Sequence, residues 1–142
     1  MMTSLSLKTL SALAVLAKSY GIGFNIDAEE QDRLVLSRDV IAAVLPDPAL
    51  EGWDGFGVVV LAYGRRAAPV IETLYSLAER LDRKIMGRLV KGAYWDTEIK
   101  LAQVEGLAGF PVFTSKPATD VSYIANARRL LNMTDRIYPQ FA

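Results

Sequence analysis

Residues 56–62 read FGVVVLA, a continuous apolar run that follows Asp54 and Gly55. Branched apolar residues favour strands, and a strand without alternating polar side chains is typical of a parallel sheet covered on both faces. Parallel neighbours must be joined by long crossover connections, which are most often helices. This run therefore predicts an α/β fold built around a parallel sheet.

On both sides of this run, short β-rich stretches alternate with longer helical ones, as in repeated βα units. We predict strands over residues 23–27, 56–62, 84–90 and 111–114. A helix is predicted after each strand. The first has an apolar face of Leu34, Val40, Ile41, Val44 and Leu45 and is ended by Pro46 and Pro48, and the second carries Val70, Leu74, Leu77, Ala78 and Leu81. The other two are predicted over about residues 97–106 and 119–131.

The predicted strand ends Asp27, Leu61, Arg88 and Phe113 lie 34, 27 and 25 residues apart, close to the ~30 of a βα unit. This spacing favours a (βα)8 barrel of the TIM family. A closed barrel needs ~250 residues, so the 142 residues are expected to supply about half of it, roughly four βα units. Residues 136–142 are interpreted as the start of a fifth, cut-off strand. The predicted organisation is one partial barrel domain over residues 1–142, with an N-terminal helix over 1–20 and βα units over 21–142.

The composition of the chain excludes several classes of binding site and catalytic site. Lysine plus arginine equals aspartate plus glutamate at 16 each, and no basic stripe is present, so no nucleic-acid binding is expected. The chain has no cysteine and no histidine, which excludes thiolate zinc sites, Ser-His-Asp triads and Cys-His dyads within it. Catalysis must use carboxylates, Arg, Lys, Tyr or a cofactor.

The apolar run over residues 10–17 has two interpretations. It follows Lys8 and ends in small residues, as a signal peptide does. It is too short for a membrane span, which needs about 20 apolar residues. Leu10, Leu13, Ala14 and Ala17 have helical spacing, which favours a soluble amphipathic helix.

Asp27 and Arg88 are the first candidate site residues. Asp27 begins DAEE at residues 27–30, the pattern of a capping box, yet the carboxyl end of a barrel strand is also where such enzymes place their chemistry. Arg88 falls within an apolar strand, where an unpaired guanidinium is costly, so it requires an anion, a carboxylate such as Asp27, or an open barrel mouth.

The segment RLVKGAYWD at residues 88–96 combines positive charge, small residues and two aromatic rings. Gly92 and Ala93 allow close approach of a ligand to the backbone, and Tyr94 and Trp95 add flat apolar surface. This combination suits a planar, electron-rich cofactor; core aromatics beside a loop are the alternative. The glycine pairs at residues 21–23 and 55–57 precede strands instead of following them, so we interpret them as turns and not as dinucleotide-binding loops.

Four separate segments of the chain resemble the proline dehydrogenase domain of the bacterial bifunctional proline utilization A enzymes. They are GIGFNIDAEE at residues 21–30, RLVKGAYWD at 88–96, TDVSY at 119–123 and YPQFA at 138–142. The resemblance implies a distorted (βα)8 barrel that holds FAD and oxidises L-proline to 1-pyrroline-5-carboxylate by hydride transfer to the flavin N5.

The resemblance also implies roles for individual residues. Asp27 and Arg88 match the catalytic Asp and Arg, with Arg88 near N5 to stabilise the charge gained on reduction. The residues that match flavin-lining positions are Ala28, Lys91, Gly92, Ala93, Trp95 and Thr114, and Tyr94 lies on the substrate side.

The sequence departs from the family pattern at several positions. Leu61 stands where the family has a glutamine that hydrogen-bonds the flavin ring, and Gly87 and Ser115 are smaller than expected. The family's first-strand lysine lies much further from its Asp than Lys8 lies from Asp27. We therefore interpret the N-terminus as a helix that leads into the Asp27 strand, and a substrate-binding role for Lys8 is the lesser alternative. The His-Asn segment and later arginines of the family would follow Ala142.

Three hypotheses follow. The first is a part of a proline dehydrogenase in a cytoplasmic parent enzyme, peripheral to the inner membrane, which passes electrons to a membrane quinone and carries an aldehyde dehydrogenase domain. The second is a non-catalytic half-barrel that associates through its open sheet edges, as a homo-oligomer. The third is a Schiff-base barrel that uses Lys91.

Overall fold

The computed structural model describes residues 4–27, 34–92, 95–106, 109 and 112–142. The strands within these ranges are β1 (Phe24–Ile26), β2 (Phe56–Leu61), β3 (Ile85–Val90) and β4 (Ile137–Phe141). The helices are α1 (Ser4–Ser19), α2 (Leu34–Val44), α3 (Ala67–Leu81), α4 (Trp95–Val104) and α5 (Lys116–Leu131), and a short 3-10 helix covers Pro48–Leu50.

The four strands form one parallel sheet in the order β1-β2-β3-β4. Phe24 pairs with Phe56 between β1 and β2, and Ile85 pairs with Ile137 between β3 and β4. Strands that are neighbours in sequence are therefore neighbours in the sheet, and helices connect them, as in consecutive units of a barrel. The predicted α/β class with a parallel sheet is confirmed.

The two faces of the sheet have different coverings. On the outer face, alternate strand residues such as Val58, Leu89 and Ile137 pack against the helices in the main apolar core. The inner face carries Val59 and Leu61 in a separate cluster of four buried residues, completed by Tyr63 and Val112. All six residues of β2 are buried, which explains why its sequence is apolar throughout.

One strand prediction is wrong in the third unit, and the error changes the number given to the next strand. The sequence predicts the fourth strand over residues 111–114, but Pro111 lies outside the described residues and Val112 makes only an isolated antiparallel bridge to Gly64. The strand predicted over residues 136–142 is present as Ile137–Phe141 and pairs with β3 over five residues, so it is the fourth strand of the described sheet and not the fifth. Two helices, α4 and α5, consequently lie between β3 and β4.

The N-terminal segment is a helix, as one of its two interpretations predicts. Ala14 and Ala17 of α1 are buried, and Leu10 packs against the core. Leu13, expected on the same face, is 44% exposed, because the buried surface of α1 is narrower than the spacing suggests. None of the helices in the described part of the chain has the length and apolar character required to cross a bilayer.

Helix α5 begins three residues earlier than predicted, at Lys116 instead of about Thr119. Ser115 is its N-cap, and the Ser115 hydroxyl accepts a hydrogen bond from the Ala118 amide at 3.3 Å. Pro117 lies in the first turn, where its missing N–H costs no helical hydrogen bond. The earlier start brings the positive end of the helix to the carboxyl ends of the strands.

Candidate functional site

Arg88 lies on the inner face of the sheet, two residues before the end of β3. It is in register with Val59 of β2 and Gln140 of β4. Its neighbours Gly87 and Leu89 are buried on the outer face, whereas Arg88 is half-buried. Among the described residues no hydrogen bond or ion pair to Arg88 is found, so its guanidinium is available to an anionic group.

Asp27 directly follows β1 and is exposed. No ion pair joins Asp27 to Arg88, so the predicted internal Arg-Asp pair is absent between these two described residues. The capping box predicted with Glu30 lies outside the described residues. The two candidate catalytic residues thus belong to different strands of one sheet, Asp27 directly after β1 and Arg88 near the end of β3, and their side chains do not form an ion pair.

A cleft of about 350 Å³ opens beyond the carboxyl ends of β2 and β3. Its described lining consists of Tyr63, Lys91, Gly92, Thr114, Lys116, Thr119 and Asp120. These residues come from the ends of two strands, from the loop before α5 and from the first turn of α5. In a barrel this is the end at which active sites are built.

Gly92 and Tyr63 form one wall of the cleft through close packing. Gly92 has a φ of 122°, and a Cβ atom there would lie 2.6 Å from the Tyr63 ring. The Tyr63 amide donates to the Lys91 carbonyl oxygen at 2.8 Å, which holds the two strand ends side by side. Glycine is strongly favoured at this position, because a side chain would push against the buried ring and would also strain the backbone.

Lys91 and Asp120 form an ion pair across the mouth of the cleft, with 2.8 Å between Nζ and Oδ1. The hydrogen bond from Lys91 lowers the pKa of the Asp120 carboxyl in spite of its partial desolvation, and the charge of Lys116 acts in the same direction. Both side chains of the pair are about half exposed. Two ammonium groups and the positive end of α5 therefore face one carboxylate, an arrangement suited to a further anion.

The predicted site residues fall into three groups. Lys91, Gly92 and Thr114 line the cleft together. Asp27 and Arg88 are not among its described lining residues. Ala28, Ala93 and Tyr94 lie outside the described residues, and Trp95 is the first residue of α4.

Two positions where the sequence departs from the family pattern have clear environments. Leu61 ends β2 and is 7% exposed in the inner apolar cluster, where it offers no hydrogen-bond donor. Lys8 is exposed on α1 and does not line the cleft. Nothing in its position favours a substrate-binding role.

Sequence reasoning did not select four residues that line the cleft: Tyr63, Lys116, Thr119 and Asp120. Two of them, Thr119 and Asp120, belong to the TDVSY segment that carries part of the family resemblance but received no role. Tyr63 follows the apolar run of β2, where an aromatic residue is indistinguishable from core. The described residues contain no group of three carboxylates that could hold a metal ion.

The fold and the cleft define a class: a partial (βα) barrel whose candidate site lies at the carboxyl ends of the parallel strands. A search against family models matches residues 2–142 to the family described as "Proline dehydrogenase". The chain belongs to the proline dehydrogenase family.

Individual relatives agree with this assignment. The chain is 55% identical over 133 residues to the bifunctional protein PutA of Salmonella typhimurium and 54% identical over 133 residues to that of Escherichia coli K12; each match covers 94% of this chain and 10% of the relative. The chain thus spans about a tenth of the length of these curated relatives.

Solved structures show the same relationship. A crystal structure of a Bradyrhizobium japonicum proline utilization A variant is 57% identical, with a TM-score of 0.94, 96% of this chain covered and 14% of that chain. The enzyme from Bdellovibrio bacteriovorus, inactivated by N-propargylglycine, is 30% identical, with a TM-score of 0.91 and the same coverage. The sheet described above is therefore part of a TIM-barrel-like proline dehydrogenase fold, about half of the barrel.

Proposed function

We propose that the chain supplies one side of the active site of a flavin-dependent proline dehydrogenase, within one partial barrel domain over residues 1–142. The observation that carries this proposal is the cleft in which Lys91 and Gly92 meet the N-terminus of α5. An ammonium group, an accessible backbone and a helix N-terminus together bind anionic groups. FAD is a planar cofactor with a pyrophosphate, so its chemistry fits these groups.

The flavin would be held by residues from several strand ends. Lys91 and Thr114 offer donors, and Gly92 allows the backbone to approach a flat ring system. The proposed flavin-lining set is Ala28, Lys91, Gly92, Ala93, Trp95 and Thr114. When bound, FAD supplies the acceptor for a hydride.

The chain's own residues have distinct proposed roles in the reaction. L-proline loses a hydride from carbon and a proton from nitrogen to give 1-pyrroline-5-carboxylate. Arg88, half-buried and without a partner among the described residues, stabilises the negative charge that develops on reduction. Asp27, after β1, orders the charged groups around L-proline, and Tyr94 closes the substrate side.

Leu61 modifies the proposed site. A glutamine at this strand end would donate a hydrogen bond to the flavin, whereas Leu61 adds only apolar surface. We infer weaker flavin binding than in relatives with the glutamine. The variant Leu61→Gln is therefore expected to bind FAD more tightly, which flavin titration measures directly.

We propose the substrate, the electron acceptor, the cellular location and the further domain for a longer protein similar to PutA, of which this chain is a part. We infer L-proline as substrate, a membrane quinone as electron acceptor, and a cytoplasmic enzyme peripheral to the inner membrane. The relatives are described as bifunctional, which supports an additional aldehyde dehydrogenase domain. No nucleic-acid binding is proposed for this segment, because its charges balance.

A segment exchange tests the proposed function. The matching segment of Escherichia coli PutA, 54% identical, is replaced by this chain. The purified chimera is expected to contain FAD and to lose its visible flavin absorbance on addition of L-proline. N-propargylglycine, which inactivates the Bdellovibrio relative, is expected to inactivate the chimera too.

Two controls make the result decisive. Unmodified Escherichia coli PutA shows that the assay works, and Arg88→Met in the chimera shows that reduction depends on this chain. A folded chimera that stays colourless with FAD supplied, or that holds FAD but does not react with proline, contradicts the proposal.

A non-catalytic role for the 142-residue chain is the second candidate, and exposed apolar surface favours it. Val121 and Ile124 of α5 and Tyr138 of β4 are each at least 60% exposed, beside an edge of β4 that pairs with no other described strand. Such an edge promotes association. Light scattering after size exclusion would show a homo-oligomer, and proline-dependent reduction of FAD by the chain alone would contradict this candidate.

A further inference from the structure

The segment Thr119–Tyr123 in the first turns of α5 contacts the carboxyl ends of three consecutive strands. Asp120 pairs with Lys91 after β3, at 2.8 Å. The Ser122 hydroxyl donates to the Ala62 carbonyl oxygen after β2, at 2.7 Å. The Tyr123 hydroxyl donates to the Ala142 carbonyl oxygen after β4, at 3.3 Å. Three residues of this five-residue segment, Asp120, Ser122 and Tyr123, therefore link the strand ends around the candidate site.

Ser122 makes the most protected of these contacts, and Asn126 orients it. Asn126 is 3% exposed, and its Nδ2 donates to the Ser122 carbonyl oxygen at 2.8 Å and to the Ser122 hydroxyl oxygen at 3.1 Å. Because the Ser122 oxygen accepts from Asn126, its proton is directed toward Ala62. Removing the donor of a partly buried hydrogen bond of this kind is costly, because the acceptor is left unsatisfied.

The acceptor of this hydrogen bond, the Ala62 carbonyl oxygen, lies next to a residue that lines the cleft. Ala62 stands between Leu61, which ends β2, and Tyr63, which forms the wall of the cleft. The Ala62 amide donates to the Val90 oxygen at 2.7 Å, and the next amide, of Tyr63, donates to the Lys91 oxygen at 2.8 Å. The Ser122 bond thus holds the peptide that sets the Tyr63 ring against Gly92.

We propose that Ser122, oriented by Asn126, is a positioning residue that holds the carboxyl end of β2 against α5 and so fixes the flavin side of the cleft. Ser122 is not among the described residues that line the cleft, so its hydroxyl acts through Ala62 and Tyr63. The identity of the ligand rests on the proposed function above, whereas the positioning role rests on the hydrogen bonds alone.

Hydrogen exchange in the 142-residue chain tests the positioning role without any ligand. In Ser122→Ala, the amides of Ala62 and Tyr63 are expected to exchange about tenfold faster than in the unmodified chain. Ser122→Thr, which keeps the hydroxyl, is expected to restore exchange to within about twofold. Ser19→Ala is the matched control, because it removes a 2.6 Å hydroxyl-to-carbonyl bond to Leu16 on the remote helix α1.

The pattern of exchange separates positioning from general stability. If amides in β1 and α3 accelerate as much as those of Ala62 and Tyr63, Ser122 contributes only to stability and the proposal is overturned. Unchanged exchange at Ala62 and Tyr63 overturns it as well. Should Ser122→Ala fail to fold, Ser122→Cys retains the shape and weakens the bond, and the same two amides decide the outcome.

The chimera with Escherichia coli PutA provides the functional arm. Ser122→Ala is expected to raise the Kd for FAD about tenfold, with Ser122→Thr close to the unmodified chimera. A Kd that does not move in a folded Ser122→Ala chimera contradicts the link to the site. If the unmodified chimera binds no FAD, the proposed function fails, and the exchange experiment still decides whether Ser122 positions β2.

Discussion

The outer and inner faces of the sheet differ in what their side chains do. On β3, Leu89 points outward and is fully buried against the helices, whereas its neighbour Arg88 points inward and is half-buried. The buried oxygens Asn25 Oδ1 and Gln140 Oε1, at inward positions of β1 and β4, have no hydrogen-bond partner among the described residues. Strand alternation thus separates a face packed into the main apolar core from a face that carries polar side chains.

The largest expected effect comes from matched leucine truncations on the two faces. Leu89→Ala on the outer face is expected to cost about 3 kcal/mol or more of unfolding free energy, because it leaves a cavity in a closed core. Leu61→Ala on the inner face is expected to cost about 1–2 kcal/mol, because the cluster there is small and borders the cleft. Urea denaturation measures both. Equal costs would mean that the two faces do not differ in packing.

The second effect concerns the inward guanidinium. Arg88→Met is expected to change the unfolding free energy by no more than about 0.5 kcal/mol, since no described partner is lost. The same substitution in the PutA chimera is expected to slow flavin reduction by about 100-fold. Stopped-flow absorbance measures the rate. Arg129→Met, which removes an outer ion pair with Glu72, is the control and should leave the rate unchanged; the reverse pattern would assign Arg88 to structure.

A third comparison concerns two glycines with positive φ. Gly92→Ala is expected to cost about 2 kcal/mol, because the new methyl group meets the Tyr63 ring in addition to the backbone strain. Gly21→Ala, at φ 66° with no atom within 4 Å of the added carbon, is expected to cost about 1 kcal/mol from backbone strain alone. Thermal and urea unfolding give both values. If the two costs agree, contact with Tyr63 contributes nothing.

The smallest effect lies on the outer surface, far from the cleft. The hydrogen bond that Tyr75 donates to Asp135 raises the pKa of the Tyr75 phenol to about 12, assisted by the negative charges nearby. A raised acid pKa means that this contribution to stability is complete below about pH 10 and is lost as the pH rises toward 12. Ultraviolet titration should show a late-titrating component that decreases by one tyrosine in Tyr75→Phe; an unchanged titration curve would contradict the assignment.

Much of the fold could be predicted because β2 and β3 have clear sequences. The apolar run of β2 marks a strand buried on both faces, and the two strands were predicted within one or two residues of their observed ends. The strand predicted over residues 111–114 was wrong because a short run of β-favouring residues also occurs in loops. Here the loop packs on the inner cluster through Val112. The sequence locates β4 correctly, as residues 136–142 against the observed Ile137–Phe141, and its number was wrong only because residues 111–114 were counted as a strand.

The candidate site was only partly predictable. Lys91, Gly92 and Thr114 carry a local pattern or a family match, and the structure brings them into one cleft. Tyr63 and Lys116 carry neither, because their importance arises from the meeting of β2 with the N-terminus of α5. The three-dimensional convergence of distant segments leaves no spacing in the sequence that could reveal it.

The double-helix connection between β3 and β4 also bears on the order of folding. The segment between β2 and β3, residues 62–84, is about half as long as the segment between β3 and β4, residues 91–136. Closing the longer loop costs about 0.6 kcal/mol more in chain entropy for each doubling of length. We therefore expect β2 and β3 to pair in the folding transition state and β4 to dock afterwards, so that Ile137→Ala accelerates unfolding while leaving the folding rate almost unchanged.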